Sequence, residues 1–255
     1  MEPDAAPLTT HLGELRTRLL IAAGAWAAAS ALAYAFAPQI YALLLRPLVR
    51  AGADHPVIYT GLAEAFLTYL RLAAFAGAFV GLPVLLAQIW AFAAPGLTSA
   101  ERRAARPLIA ACPLLFAAGA AFVFFVVLPA VLPFFLGFQT EAGPLPILSL
   151  TRVAAYLDFT LGLMLAFGLA FQLPLALILA ARAGLVSRAA LARSRRYAVI
   201  AAFAVAAVLT PPDVLSQCLL AGALITLYEG GLLLIPRGPR PATGGPQSPQ
   251  PPPKP

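Results

Sequence analysis

His11-Leu12-Gly13-Glu14-Leu15-Arg16-Thr17-Arg18-Leu19 runs directly into Leu20-Ile21-Ala22-Ala23-Gly24-Ala25-Trp26. Leu12, Leu15 and Leu19 recur at helical spacing and form one stripe. Glu14 precedes Arg18 by one helical turn, the favourable order for an ion pair on a helix. A charged, amphipathic lead-in followed by an apolar run reads as a helix that starts at a membrane surface and then crosses it. The same pattern recurs along the chain and sets the fold class.

The chain has 255 residues, 61% hydrophobic and 11% charged, with a mean hydropathy of +0.87. Soluble domains carry about 25% charged residues, so the composition implies an all-α integral membrane protein. The net charge of +7 is spread along connectors and not gathered on a soluble module. It reads as a topology signal, with no nucleic-acid partner. Cys112 and Cys218 lie in apolar runs, where packing explains them. His11 and His55 make no metal-ligand pattern, and neither a metal nor a cofactor is expected. Ala31-Leu32-Ala33 and Ala35-Phe36-Ala37 resemble cleavage sites, but Glu2, Asp4 and Glu14 make a poor positive leader, so an uncleaved first span is expected.

Six spans are expected, at about 18–37, 65–92, 107–135, 153–181, 197–209 and 214–235. Residues 1–235 form one transmembrane domain, and the Pro-rich residues 236–255 form a disordered cytoplasmic tail. Residues 38–62, with Pro47, Gly52 and Pro56, read as a long loop with room for a short helix, and 182–196 as a basic connector. Arginines concentrate before span one and after spans two, four and six, so both termini are assigned to the cytoplasm. Span five covers only about 20 Å against a core of about 30 Å, and span six is also short. Pro83, Pro113, Pro129, Pro133 and Pro174 bend their helices. Bent, unequal helices suggest a curved, cup-like wall.

Several polar residues need an explanation. Thr98 and Glu101 fit a capping box at the start of span three. Asp213, after Pro211-Pro212, fits an N-cap for span six. Arg71 and Asp158 each lie about two turns into a span that starts on the outer side, so they are expected to pair across helices. Gln172 is expected to hydrogen-bond a neighbouring helix.

Four segments together resemble one family. They are His11-Leu12-x-Glu14-Leu15-Arg16-x-Arg18-Leu19, Gln88-x-Trp90-x-Phe92-x-x-Pro95-Gly96-Leu97 with Glu101-Arg102-Arg103, Phe167-Gly168-x-x-Phe171-Gln172-x-Pro174, and Thr210-Pro211-Pro212-Asp213-x-x-Ser216-Gln217. In this order the chain resembles the TatC subunit family of the twin-arginine protein translocase, over about residues 8–235. The resemblance implies a receptor for signal peptides with two consecutive arginines, driven by the proton-motive force in the bacterial cytoplasmic membrane. It implies that Glu14 and Glu101 receive the arginine pair, with Arg16, Phe92, Pro95 and Arg103 around them. A guanidinium forks onto a carboxylate through two hydrogen bonds, which lysine cannot copy. Pro47 matches another position that matters in the family. Thr210, Asp213 and Gln217 match the region that docks the single-span TatA and TatB subunits, in a complex that also holds further copies of this chain. Gln172 stands where some members carry a glutamate.

Other classes fit less well. A secondary transporter of a small solute is the alternative, but no internal repeat is evident. An intramembrane enzyme lacks support: H-E-x-x-H and the nucleophile elbow are both absent from the sequence.

Overall fold

The computed structural model describes residues 8–52, 57–93, 99–138, 151–210 and 212–235. Among these residues ten α-helices follow one another: α1 Leu8–Ala35, α2 Ala37–Arg50, α3 Glu64–Ala93, α4 Ser99–Phe122, α5 Leu128–Leu136, α6 Val153–Ala170, α7 Leu173–Arg182, α8 Arg188–Arg193, α9 Arg195–Leu209 and α10 Val214–Leu234. A π-helical turn, Val123–Val127, joins α4 to α5. Among the described residues, extended pairing is confined to one parallel bridge, Ile58 with Arg152.

Among the described residues, five stretches are long and apolar enough to cross a membrane: Leu12–Ala35, Glu64–Phe92, Arg106–Leu136, Val153–Arg182 and Val214–Leu234. Helix α9 has 15 residues, about 22 Å at 1.5 Å per residue, and falls short of that length. Leu19, Leu32, Val80, Leu114, Phe125 and Leu233 are exposed. Exposed side chains of that size on helices of that length belong in lipid.

The local breaks have chemical causes. Helix α1 starts at Leu8, ahead of the expected boundary, because the amphipathic lead-in is continuous with the span. It stops at Phe36, and α2 restarts with Pro38 in its first turn, where no N–H donor is needed. The expected loop after span one is thus largely a 14-residue helix burying Ala37, Leu44, Pro47 and Leu48 on one face. The π turn lies just before Pro129, whose ring would otherwise meet the carbonyl of Phe125. Span four is interrupted at Phe171 and Gln172, and α7 restarts with Pro174 in its first turn. The basic connector contains α8, capped by Ser187 Oγ accepting from Ala190 N at 3.1 Å.

Helix α6 is the axis of the core. Its Leu157, Leu163 and Phe167 are fully buried beside Val123, Val127, Leu128 and Leu220. Helix α4 lies antiparallel to α6 at the closest approach glycine allows. A Cβ on Gly119 would stand 2.5 Å from the Phe167 carbonyl oxygen, and one on Gly168 2.6 Å from the Phe116 ring. Helices α1 and α3 also pack along their length. A Cβ on Gly77 would stand 2.6 Å from Ser30 Cα, while one on Gly81 would meet Trp26 Cα at 3.7 Å. Gly77-x-x-x-Gly81 is the small-residue spacing that lets membrane helices approach closely. Helix α1 touches chiefly α3, and α9 chiefly α10, so the row of helices is open at both ends.

Candidate functional site

The register of α1 against α3 locates Glu14. Ser30 abuts Gly77 and Trp26 abuts Gly81, so stepping back along α1 means stepping forward along α3. Trp26 Nε1 donates to the Ala74 carbonyl at 3.0 Å and fixes this alignment. Carried on at the same register, Glu14 stands level with Ala93, at the height of the end of α3. Helix α4 begins after the short connection 94–98, and Phe79 packs on Phe116 with ring centroids 5.6 Å apart. The backbone of Glu101 and Arg103 lies in the opening turns of α4, at the same end of the helix row. The side chain of Glu101, and Pro95 and Thr98 entirely, lie outside the described residues, as does the expected capping box.

Glu14 is held by its own helix. Arg18 donates from Nε at 2.9 Å and from Nη2 at 2.6 Å, and both bonds fall on Oε1. The ion pair expected from the spacing therefore forms. Both side chains are partly exposed, so a second guanidinium can reach the carboxylate. Arg16 is exposed and Phe92 half-buried. Arg103 turns back to the Ser99 carbonyl at 3.4 Å.

The residues matched to partner docking sit at the α9–α10 turn. Asp213 is extended, and its Oδ1 accepts from Ser216 N at 2.7 Å. Ser216 Oγ donates to the other carboxylate oxygen, so Asp213 is the N-cap that the sequence suggested. Thr210 is buried and donates to the Ala206 carbonyl at 2.8 Å. Gln217 is half-buried in the first turn of α10. At the far end of the same pair, Arg195 forks onto Glu229 with two contacts of 2.8 Å.

The polar residues within the spans resolve one by one. Arg71 Nη1 donates to both Asp158 oxygens at 3.1 Å, so α3 and α6 are bridged as the spacing implied. Gln172 Nε2 donates to the Cys112 carbonyl of α4 at 3.0 Å, the helix-to-helix bond expected of it, while its Oε1 is buried and has no partner among the described residues. Pro47 is buried in α2. Nearby, Tyr156 donates to the Leu44 carbonyl at 2.5 Å and ties α2 to α6. Burial, with Tyr69 and Tyr59 beside it, pushes the Tyr41 phenol above its ordinary value, so it stays neutral. Cys112 and Cys218 are free thiols. Among the described residues no group of His, Cys, Asp and Glu has the arrangement of a metal site.

One cluster escaped sequence reasoning. Glu64, the first residue of α3, accepts from Thr60 N at 2.8 Å, Thr60 Oγ1 at 3.0 Å and Gly61 N at 3.1 Å. All three bonds and the Arg152 contact at 3.3 Å fall on Oε2. The signal was an acid one turn after Thr60-Gly61, at the mouth of an apolar run. Together with Arg71 and Asp158, this pair lines an open cavity of about 490 Å³ between the starts of α3 and α6.

Comparison with known proteins places the arrangement. Residues 10–222 match the family model described as Sec-independent protein translocase protein (TatC). The Sec-independent protein translocase protein TatC of Magnetococcus marinus is 43% identical over 225 residues, 88% of this chain and 82% of that protein. The protein of that name from Escherichia coli strain K12 is 39% identical over 230 residues, 90% of this chain and 88% of that protein. A crystal structure of the twin-arginine translocase receptor TatC superposes with a TM-score of 0.73 at 35% identity, covering 88% of this chain and 96% of that one. A second, in the detergent DDM, gives 0.75 and covers 98% of that chain. On the family model and on relatives of this identity and coverage, the chain belongs to the TatC family of Sec-independent protein translocase subunits.

Proposed function

We propose that this membrane-embedded translocase subunit receives the paired arginines of a signal peptide at Glu14 and Glu101. The observation that supports the reading is the α1–α3 register, by which Glu14 comes to the height of the end of α3, at the end of the row where α4 begins. Arg18 on Glu14 supports it further, because a carboxylate already gripping one guanidinium has the geometry and exposure to grip another. Hydrogen bonds to charged groups contribute roughly 1.5–3 kcal/mol each. Two such sites therefore separate an Arg-Arg leader from a Lys-Lys one by orders of magnitude. Arg16, Phe92, Pro95 and Arg103 shape the surroundings of the two acids.

The rest of the reading follows from the charge distribution and the helix row. Residues 1–235 are one domain of six spans, α9 serving as a short fifth. Both termini are cytoplasmic, and residues 236–255 form a disordered tail. The open row is taken as a curved wall along which the apolar part of the leader lies. TatA- and TatB-type single-span subunits dock at Thr210, Asp213 and Gln217, where a short helix leaves the bilayer thin. Several copies of the chain gather in the working complex, and the proton-motive force drives passage of folded cargo.

Crosslinking of a twin-arginine peptide to the full chain in membranes, against a Lys-Lys peptide, tests the central step. The Arg-Arg peptide is expected to crosslink near Phe92 and the Lys-Lys peptide to fail. A Glu101→Gln variant that captured the peptide at wild-type affinity would overturn the docking role.

A further inference from the structure

The connector from α7 to α9 is strongly basic and lies where the spans end. Helix α7 closes on Arg182, α8 runs Arg188–Arg193, and α9 opens with Arg195-Arg196. Two bonds hold α8 against the end of α10. Tyr228 donates to the Leu191 carbonyl at 2.8 Å, and Arg188 Nη1 to the Ile235 carbonyl at 3.0 Å. The apolar stretches Val153–Arg182 and Val214–Leu234 both finish at this corner. The connector therefore sits where hydrocarbon gives way to headgroups.

Its charges are poorly compensated. Arg195 is paired with Glu229 at 2.8 Å. Arg188, Arg193 and Arg196 meet no carboxylate among the described residues and bond to neutral acceptors instead. Arg193 Nε donates to the Ala189 carbonyl at 3.3 Å, which leaves both of its Nη groups unused among the described residues. Arg196 Nη2 donates to the Tyr197 hydroxyl at 3.0 Å, and the guanidinium lies 4.8 Å from the centre of the Tyr197 ring. Both arginines are exposed, about one turn apart on either side of Ser194. Residues 236–255 carry Arg237, Arg240 and Lys254 and no Asp or Glu, so that segment cannot neutralise the patch.

We propose that Arg193 and Arg196 bind the headgroup phosphate of an anionic phospholipid, one whose phosphodiester has no ammonium beside it. A guanidinium offers phosphate a fork of N–H donors, and Arg193 has that fork free. A zwitterionic headgroup presents the same phosphate but brings a cation into a patch that already holds three without a counter-charge. The apolar neighbours favour lipid over a water-borne polyanion. Leu185 is 78% exposed and Tyr197 59%, both within the basic stretch. Arginines interleaved with an exposed aliphatic side chain and a tyrosine suit the boundary between headgroups and acyl chains. None of these residues belongs to the Glu14 and Glu101 site, so the patch does not depend on the signal-peptide reading.

The test uses the full chain in detergent micelles, with native mass spectrometry of lipid retention. Phosphatidylglycerol and phosphatidylcholine of matched acyl chains are the probes. Phosphatidylglycerol is expected to bind about tenfold more tightly, since each arginine near an anionic lipid contributes several-fold. Arg193→Gln with Arg196→Gln is expected to lose that preference. Arg196→Gln alone, expected to weaken it several-fold, serves the same purpose if the double variant does not fold. Arg46→Gln with Arg50→Gln removes the same charge from two exposed arginines of α2 and is expected to keep the preference. Millimolar glycerol 3-phosphate and a short single-stranded oligonucleotide are each expected to leave the bound lipid in place. Equal binding of the two lipids, a preference that survives the changes at Arg193 and Arg196, or an equal loss in the α2 variant overturns the proposal. Displacement by glycerol 3-phosphate or by the oligonucleotide overturns it too, by showing a simple anion site or a nucleic-acid surface.

Discussion

Gly77→Ala is the sharpest perturbation the helix row offers. The added methyl would stand 2.6 Å from Ser30 Cα, a backbone atom that cannot rotate away. Ordinary contact needs roughly 3.5–4 Å, so α1 must move outward by about 1 Å near its middle. Overpacking of this kind costs about 1–3 kcal/mol. The move also stretches the 3.0 Å bond from Trp26 to the Ala74 carbonyl, worth about 1 kcal/mol. A total near 3 kcal/mol is expected. Gly81→Ala is the internal control, because its methyl meets Trp26 Cα at 3.7 Å, an ordinary contact. It should change stability by less than about 0.5 kcal/mol. Denaturant titration of the purified full chain, with Trp26 fluorescence as the probe, measures both. Equal stability of the two variants, or a larger loss for Gly81→Ala, would refute the register argument and with it the placement of Glu14.

Further outcomes follow from single contacts. Asp213→Ala should cost about 1 kcal/mol of helix stability, and Asp213→Asn much less, since the amide oxygen still caps Ser216 N; thermal unfolding of both variants checks this. Glu64→Ala should destabilise the start of α3, because it removes the acceptor of Thr60 N and Gly61 N; faster proteolysis of the loop before α3 reports the loosening. Arg71→Leu and Asp158→Leu should each destabilise, and the double change should be more stable than the sum of the two; a double-mutant cycle showing additivity would mean the 3.1 Å pair contributes no coupling. Arg18→Ala should leave stability within about 0.5 kcal/mol, as for exposed helical pairs, and should raise capture of an Arg-Arg peptide by freeing Glu14; weaker capture would count against that role.

How much was visible in the residues differs by feature. The apolar runs gave the five long apolar helices, because lipid demands about 20 apolar residues per crossing whatever the neighbours do. The Asp213 cap and the Glu14–Arg18 pair were visible because both are local, within one turn. The Arg71–Asp158 bridge was found from depth alone, since two opposite charges at similar depth have few other partners. Helix α2 was under-read. Pro38, Arg46, Pro47 and Arg50 look like loop chemistry, yet Pro38 sits where a helix tolerates proline, and Ala37, Leu44 and Leu48 already kept helical spacing. The α1–α3 seam was missed although Gly77-x-x-x-Gly81 announces it. Which helix fills such a groove depends on tertiary packing, which spacing within one helix does not encode. Glu64 escaped because its main partner, Arg152, is remote in sequence.

The seam between α4 and α6 divides the molecule mechanically. With Gly119 against the Phe167 carbonyl and Gly168 against the Phe116 ring, sliding by one residue would drive a side chain into backbone. The two helices are thus keyed and travel as one stiff strut. Compliance is left to the widened turn at Val123–Val127 and to the interruption at Phe171 and Gln172. A displacement of α7 would then carry α10, which packs on it where Gly231 meets Pro174, with the strut as the fixed reference.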